Sequence, residues 1–182
     1  MTKKIKSQYN YLLPDSSRRS IDKTVELVLK DNSLLDIMMD IALSDDKPVA
    51  QRASRVIFYS AGKDKTLVEP LNEKIILSLE NLTNDSVKAN FLSISSEWFL
   101  PDDEEMLGIL ADLCFKYLNG NSDREGLKIC SMEILYKISQ IYPEIKNELL
   151  MNIESLMQFN KSSFQSRGQK IINKLYQEQS KK

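Results

Sequence analysis

The sequence predicts an all-α fold in which about nine helices stack as antiparallel pairs. Apolar residues make up 42% of the 182 residues, and only 5 glycines and 5 prolines interrupt the chain. This composition is typical neither of a disordered segment nor of a turn-rich β protein. Apolar positions recur at spacings of three and four residues, which indicates helices with one buried face. The same pattern then returns along the chain.

The repeat is visible in the apolar landmarks of every second predicted helix, which we call the leading helices. Each opens with an apolar anchor and carries a pair of inward residues seven and eight positions later. The four sets are Val49 with Val56 and Ile57, Val87 with Ile94 and Ser95, Leu127 with Ile134 and Leu135, and Phe164 with Ile171 and Ile172. Successive anchors lie 38, 40 and 37 residues apart. A period of this length is typical of stacked two-helix units.

Residues 1–16 lack a helical period and are predicted to form an N-terminal tail. Pro14 ends this tail, and the polar run from Asp15 to Ser17 is typical of a helix cap. The stripe of the first helix is Ile21, Val25, Val28 and Leu29. Ser33 is predicted to cap the second helix, whose inward residues are Leu34, Leu35, Met38, Ile41 and Ala42. The repeat domain is predicted at 17–177, with a C-terminal tail at 178–182.

The third and fourth helices form the next predicted pair. Pro48 suits the first turn of the third helix, because a proline lacks the N–H that would be unpaired there. Gly62 is predicted to close that helix as a left-handed cap. Pro70 is predicted to open the fourth helix, and the stretch before it is either a loop or an extra turn. The predicted inward residues of the fourth helix are Leu71, Ile75, Ile76, Leu79 and Leu82.

The fifth and sixth helices follow the polar restart at residues 83–86. Trp98 continues the stripe of the fifth helix, so a core position is favoured over a ligand platform. Pro101 and four acids, Asp102 to Glu105, then precede the sixth helix. Acidic residues at a helix N-terminus oppose the macrodipole. The alternative, a calcium loop, lacks the glycine and the alternating ligand spacing of an EF-hand.

The last three helices complete the array. Ser122 with Glu125 matches a capping box before the seventh helix, and Pro143 is predicted to open the eighth. The ninth helix has the stripe Phe164, Gly168, Ile171, Ile172 and Leu175, and the tail after Tyr176 is expected to fray. A short residue follows the anchor by four positions in three leading helices, as Ala53, Ser131 and Gly168, whereas Phe91 takes that position in the other.

The residue types present favour a binding protein over an enzyme. Histidine, the commonest general base and metal ligand, is absent. Cys114 and Cys130 lie within apolar stripes and are expected to be buried thiols, with a redox pair or metal ligands as the alternative. The sequence contains neither a nucleophile with a base partner nor a phosphate-binding loop. We therefore predict no catalytic residues, no metal ligands and no cofactors. Without a signal peptide or membrane span, the chain is expected to be cytoplasmic.

The net charge of −1 conceals an uneven distribution. Residues 1–24 hold six basic and two acidic groups, and residues 161–182 hold six basic groups and one acid, so the ends carry +4 and +5. The part between them therefore carries −10. Basic ends on an acidic body can steer an anionic partner, although solvated termini are often basic without one.

This arrangement of helix pairs resembles the HEAT and armadillo class of α-solenoids over residues 17–177. Two features are similar to HEAT units: a proline or short acidic cap before the leading helices, and the small residue four positions after the anchor. An arginine or lysine that HEAT units often carry in the second helix is not held at one register. The resemblance implies a right-handed α-α superhelix that acts as a scaffold and binds a protein or peptide along the surface formed by the second helices.

The second helices carry a further apolar repeat, which we call the second-helix stripe. Its members stand two positions before an inward residue, and they are Met39, Leu77, Phe115 and Met151. Residues two apart point about 200° apart on a helix, so the stripe is predicted to leave the main core face. It is expected to line a semi-exposed concave groove that receives a peptide or helix. The alternative is burial of the stripe between neighbouring units.

A second function class also follows from the resemblance. Some HEAT-like proteins are DNA glycosylases that act on alkylated bases, and such proteins carry a strongly basic concave side. The candidate phosphate contacts here are Arg52, Arg55, Arg167, Lys170 and Lys174. The acidic middle of the chain makes this nucleic-acid alternative the weaker one. The oligomeric state and the identity of the partner are left open by the sequence.

Overall fold

A computed structural model describes residues 11–180 of the chain. Every regular element in this range is a helix, so the all-α prediction is confirmed. Residues 1–10 of the predicted N-terminal tail and residues 181–182 of the C-terminal tail lie outside the described range. Their basic residues are Lys3, Lys4, Lys6, Lys181 and Lys182.

Nine helices were predicted, and the described residues contain these nine together with one extra helical turn before the fourth. The α-helices of the described residues are α1 (Arg18–Lys30), α2 (Leu34–Ala42), α3 (Lys47–Lys63), α4 (Lys65–Val68), α5 (Asn72–Leu79), α6 (Asp85–Glu97), α7 (Glu104–Leu118), α8 (Glu125–Ile141), α9 (Lys146–Leu156) and α10 (Ser162–Gln179). Short 3-10 turns stand at Glu69–Leu71, Pro143–Ile145 and Met157–Phe159. The stretch before Pro70 is thus the extra turn α4 rather than an open loop.

The chain divides into two compact units, Met1–Phe99 and Leu100–Lys182. In the first unit α3 is central, because α1 and α6 pack on its flanks and α2 packs on it across a short turn. Four landmarks of this unit, Val56, Ile57, Val87 and Ile94, are fully buried. Val49 is only half-buried and the neighbouring Ala50 takes the buried place, so the predicted anchor is one residue off.

In the second unit α7 packs on α8, and α10 packs on both α8 and α9. Its landmarks are all buried: Leu127, Ile134, Leu135, Phe164, Ile171 and Ile172. A Cβ added to Gly168 would lie 2.9 Å from Ile153 Cγ2 and 3.0 Å from Met157 Sδ. The small residue in this leading helix therefore allows α10 to approach α9 closely, as its repeat position predicts.

Hydrogen bonds one repeat apart join successive leading helices. In the first unit, Asn84 Nδ2 donates to the carbonyl of Lys47 at 3.1 Å, and Asn90 Nδ2 donates to Ser54 Oγ at 2.8 Å. In the second unit, the Glu125 carboxylate accepts from the backbone N–H of Lys161 at 2.7 Å. These partners are 36 or 37 residues apart, close to the repeat period read from the sequence.

The pairing of helices is shifted from the prediction. The sequence pairs each leading helix with the helix that follows it, such as α3 with α5. In the structure each of these leading helices packs more extensively on the helix before it than on the helix after it. Thus α3 packs more on α2 than on α5, and α8 packs more on α7 than on α9. The extra turn α4 and the following 3-10 turn lie between α3 and α5, whereas residues 43–46 connect α2 directly to α3. Short connections hold neighbouring antiparallel helices together.

Two predicted caps are confirmed, at Ser17 and at Asp103, and Asn84 supplies a third cap that was not predicted. Ser17 Oγ accepts from the N–H of Ser20 at 3.3 Å at the start of α1, and Asn84 Oδ1 accepts from Ser86 N at 3.1 Å at the start of α6. Asp103 Oδ1 accepts from Met106 N at 2.9 Å at the start of α7. The acidic run before α7 therefore acts, through Asp103, as the predicted cap.

Three other caps were predicted wrongly. Ser33 precedes α2, but its side chain makes no capping hydrogen bond, and its hydroxyl donates to Asp31 instead. Gly62 is not a left-handed cap, because α3 continues to Lys63 and no glycine among the described residues has positive φ. A Cβ at Gly62 would instead lie 3.2 Å from the half-buried Trp98 ring, which packs 4.9 Å from the Phe58 ring centroid. The Ser122–Glu125 capping box is also absent: α8 begins only at Glu125, and Ser122 Oγ accepts from Arg124 N.

The described part of the N-terminal tail is bound to the first unit. Leu12 and Leu13 are buried. Thr24 Oγ1 donates to the carbonyl of Leu12, and Arg52 Nη1 donates to the carbonyl of Leu13 at 2.9 Å. These contacts join the buried Leu12 and Leu13 to α1 through Thr24 and to α3 through Arg52.

The C-terminal end of α10 is also held in place. Glu178 accepts from the Tyr136 hydroxyl at 2.7 Å and from Lys146 Nζ at 2.7 Å. The helix extends to Gln179. The fraying expected after Tyr176 is therefore not found, since α10 stays helical as far as Gln179. The Glu178 carboxylate holds this end of α10 against α8 and α9.

Candidate interaction surface

The second-helix stripe is exposed in part, and its clearest member in the first unit is Leu77 on α5. Its neighbours Ile75, Ile76 and Leu79 are fully buried, whereas Leu77 keeps 47% of its surface exposed. The helical period explains the difference, because Ile75 and Leu79 lie on one face and Leu77 lies about 200° away from each. The position of Leu77 off the core face was predicted from this geometry.

Met151 on α9 is the corresponding residue of the second unit. It is 63% exposed, while Leu149, Leu150 and Ile153 beside it are buried. Phe115 on α7 is half-buried, so it presents part of its ring. Complete burial of Leu77 and Phe115 would have removed the groove hypothesis, and neither residue is completely buried. Whether a partner binds to them stays a prediction.

Met39 is the exception in the stripe. It is fully buried on α2, where Met38 and Ile41 are buried as well. Because α2 is short and packs closely on α3, both of its apolar faces are covered. The expectation that Met39 is semi-exposed is therefore wrong, and the exposed members are Leu77, Phe115 and Met151.

The charged residues around the exposed members were missed by the sequence analysis. On α5 the exposed Lys74 lies 3.5 Å from Asp40 of α2, which joins the outer faces of two second helices in the first unit. In the second unit, the Tyr176 hydroxyl donates to Glu154 Oε1 at 2.7 Å. The signal was present as charged residues three and four positions from Leu77 and Met151, since such positions are neighbours on a helix.

The arginines of the first unit proposed as phosphate contacts have structural partners. Arg52 Nη1 donates to the carbonyls of Leu13 and Pro14, and Arg55 Nη1 donates to that of Ser16 at 2.8 Å. Both guanidinium groups therefore hold the segment 11–16 against α3. Their role in this structure is to pair backbone carbonyls that precede α1.

The basic residues proposed in the second unit lie along α10. Arg167 Nε is 3.3 Å from Glu133 Oε1, and Lys174 Nζ lies 5.0 Å from the centroid of the Tyr136 ring. Lys170 is exposed. Arg167 and Lys174 thus contact side chains of α8, as expected for groups that help to join two stacked leading helices.

A polar cavity of about 390 Å³ lies in the second unit where α8 and α10 begin. Glu125 and Lys128 line one side, and Phe159, Asn160 and Lys161 line the other. Lys128 Nζ donates to Asn160 Oδ1 at 3.3 Å, and both oxygens of Glu125 accept hydrogen bonds from Lys161 N and Ser163 Oγ. Two charged groups of the cavity, Glu125 and Lys128, therefore join the start of α8 to the segment that leads into α10.

The titratable groups with shifted pKa values are explained by packing. The pKa of Glu178 is lowered, mainly by the hydrogen bond from Lys146 and also by those from Tyr136 and Gln140. Burial and the same carboxylate raise the pKa of Tyr136 to about 12. Burial raises the pKa of Cys114, which favours an unreactive thiol. Cys114 and Cys130 are both buried thiols, as predicted.

Two further observations concern the described residues only. No group of three or more acidic or cysteine side chains in residues 11–180 is placed to hold a metal ion. Within that same range, none of the helices combines the length and the apolar character needed to cross a bilayer.

Comparison with known proteins agrees with the repeat geometry. A family model described as a HEAT repeat domain matches residues 9–175. No curated protein and no solved structure gave a significant match. The matched range contains all four sets of landmarks, the buried faces of the leading helices and the hydrogen bonds spaced by one repeat. The chain therefore belongs to the HEAT repeat family.

Proposed function

We propose that this protein is a non-enzymatic interaction module that binds a peptide or protein partner through the exposed face of its second helices. In helical repeats of this kind that face is expected to form the concave surface, where extended partners are received. The proposal concerns Leu77 in the first unit and Phe115 and Met151 in the second. HEAT repeats typically mediate interactions, which gives the general class.

The observation that carries the proposal is the exposure of Leu77 and Met151. Both positions follow from the repeat, and two-residue spacing from a buried position places each of them off the core. Large apolar side chains that remain in water at repeat-related positions are typical of surfaces that become covered on binding. Burying one such side chain is worth about 1.5–3 kcal/mol, enough to matter to a weak complex.

The experiment is a capture of partners from cells that express the protein, followed by competition with single variants. Leu77→Asp, Phe115→Asp and Met151→Asp each place a charge on the proposed surface. Leu27→Asp is the matched control, because Leu27 is 41% exposed but lies on the leading helix α1. We expect at least one captured protein to be retained by L27D and lost by L77D or M151D.

Folding must be monitored alongside capture. Circular dichroism spectra and melting temperatures of all four variants should match the parent protein within a few degrees, because the substituted side chains are exposed or half-buried. If every captured protein were retained by L77D, F115D and M151D with the fold intact, the second-helix surface would not be the binding site and the proposal would fail.

The nucleic-acid alternative has less support. Arg52 and Arg55 are engaged with backbone carbonyls, and Arg167 is paired with Glu133. A phosphate would have to compete with these contacts, and acidic residues stand beside Leu77 and Met151. We therefore do not propose DNA binding. A gel shift assay with duplex and single-stranded oligonucleotides at low salt would revive that alternative if binding were salt-dependent.

A further inference from the structure

The charges around Leu77 set the chemistry of a partner. The residues three and four positions away on α5 and its end are Glu73, Lys74, Glu80 and Asn81, and all four are exposed. The charge of Lys74 is offset by Asp40, whose carboxylate lies 3.5 Å from its ammonium group. The carboxylates of Glu73 and Glu80 are left on either side of Leu77. An exposed apolar side chain is thus framed by two negative charges.

The same arrangement surrounds Met151 in the second unit. The residues three and four positions away are Asn147, Glu148, Glu154 and Ser155, and all are exposed. No positive charge is present among them. Glu154 accepts from Tyr176, an aromatic residue that is itself 47% exposed. Two carboxylates again stand on either side of an apolar side chain.

The contrast with the leading helices shows that acids do not surround every exposed apolar residue. Leu27 on α1 is exposed to a similar degree, and the charged residues around it are Lys23, Lys30 and Asp31. Two of these three are basic, and Asp31 accepts hydrogen bonds from Ser33. The acidic frame is therefore shared by Leu77 and Met151, which stand 74 residues apart, two repeats along the chain. Phe115, in the repeat between them, has a single acid, Asp112, at these spacings.

We propose that the partner of these positions is a cationic amphipathic peptide segment. Its apolar side chains would cover Leu77 or Met151, and its lysines or arginines would face the carboxylates on both sides. Complementary charge of this kind favours cationic partners and repels nucleic acid. This inference rests on the proposed function, because it names the class of partner for the same surface.

The first experiment uses three synthetic helical peptides with one leucine stripe and a polar face of lysine, glutamine or glutamate. Binding of each fluorescently labelled peptide to the full chain is followed by anisotropy at low and physiological salt. We expect the lysine peptide to bind roughly 10-fold or more tightly than the glutamine peptide, and the glutamate peptide to bind least. The preference should decrease as salt rises, because the carboxylates are exposed.

The second experiment reverses single charges on the protein. Glu80→Lys stands at the C-terminal end of α5, where a basic residue suits the helix dipole, and Glu148→Lys lies on α9. Each variant is expected to bind the lysine peptide roughly 3- to 10-fold more weakly than the parent protein does. Glu26→Lys, an equal charge reversal at an exposed position of α1, is the control and should leave binding unchanged. Melting temperatures verify that all three variants fold.

The outcomes separate this inference from the proposed function. The cationic preference is overturned if the glutamine peptide binds as tightly as the lysine peptide and if E80K and E148K leave both affinities unchanged. If L77D nevertheless weakens binding of both peptides, the surface is an apolar site and the proposed function stands. The preference is also overturned if sedimentation shows a dimer that L77D dissociates, since a second copy is then the occupant. Tighter binding of a single-stranded oligonucleotide than of the lysine peptide would overturn it as well.

Discussion

The two units join their leading helices at the same spacing but with different chemistry. In the first unit two hydrogen bonds between the regions of α3 and α6 are neutral: Asn84 donates to the Lys47 carbonyl, and Asn90 donates to Ser54. In the second unit the contacts between α8 and α10 use carboxylates, through Glu125 on Lys161 and Glu133 on Arg167. The repeat thus specifies where leading helices meet, whereas the groups that meet there are free to differ.

This difference teaches that sensitivity to conditions need not be uniform along a repeat protein. Amide and hydroxyl groups keep their hydrogen-bonding capacity across the usual pH range, whereas a carboxylate loses its charge in acid. These two contacts of the first unit are therefore expected to be indifferent to acid, and the carboxylate contacts of the second unit to weaken.

The largest effect is expected at the position four residues after the anchor, where the units differ most in side-chain size. Phe91→Ala in α6 removes a fully buried ring and should lower the free energy of unfolding by about 3–5 kcal/mol. Urea denaturation followed by Trp98 fluorescence measures this loss, since Trp98 is the single tryptophan and belongs to the first unit. A loss below about 1 kcal/mol would mean that the neighbouring helices close the cavity.

The reverse change in the second unit should have an intermediate effect. Gly168→Val places a branched side chain against Ile153 and Met157, which already lie about 3 Å from the position of an added Cβ. Overpacking of this kind costs about 1–3 kcal/mol. Thermal unfolding measured by circular dichroism tests it. An unchanged melting temperature would show that α10 can move away from α9 at little cost.

A pH series should separate the two kinds of contact between leading helices. Since the pKa of Glu178 is lowered from 4.5, its charge stabilises the fold above that value, and this contribution is lost as the pH falls through the lower pKa of the folded protein. Glu178→Gln should therefore lower stability by about 1 kcal/mol at pH 7, with the difference from the parent shrinking below pH 4.5.

Asn90→Ala is the matched control for that series. It removes a neutral hydrogen bond to buried Ser54 and should also lower stability by about 1 kcal/mol. Its difference from the parent should stay constant over the same range of pH. Denaturant titrations at four pH values provide both comparisons. A parallel pH response of the two variants would contradict the assigned difference between the units.

The smallest effect is expected at a helical glycine that has open space where a side chain would stand. Gly108 lies within α7, and an added Cβ would have no neighbour within 4 Å. Gly108→Ala should therefore raise stability by about 0.5–1 kcal/mol, because alanine loses less backbone freedom in a helix. The melting temperature reports the change. A decrease would show that this position, unlike Gly168, was assigned the wrong surroundings.

The landmarks of the fold were predictable because they follow from two periods. The helical period selects the buried residues, and the forty-residue period aligns them, so Val56, Ile94, Ile134 and Ile171 were all identified correctly as core. The capping role of Asp103 was predictable because it depends on local backbone geometry. Local signals of this kind need no knowledge of how helices pack.

The pairing of helices and the burial of Met39 were not predictable in the same way. Both depend on which flank of a helix a neighbour covers, and apolar residues on two faces of α2 are compatible with either arrangement. Gly62 was assigned to a cap because glycine commonly ends helices, whereas here it lies within α3 and an added Cβ would stand 3.2 Å from the Trp98 ring. Contacts between distant residues decided each of these cases.

The candidate surface was identified in its apolar part and missed in its charged part. Leu77 and Met151 followed from spacing alone. The carboxylates beside them were visible in the sequence, but they resembled ordinary solvated residues. Their arrangement around an apolar side chain became evident only once Leu77 and Met151 were found to be exposed. The pairing of Lys74 with Asp40 could not be predicted from the sequence, because Asp40 belongs to another helix.

The buried dipeptide Leu12–Leu13 has a practical consequence for work with fragments of this protein. A fragment that began at Ser17 would keep every helix from α1 to α10 yet lose the buried Leu12 and Leu13 and the two carbonyls to which Arg52 donates. Such a fragment would expose the apolar surface that these leucines contact and should be prone to aggregate. Truncation studies should therefore retain residues from at least Tyr11 onward.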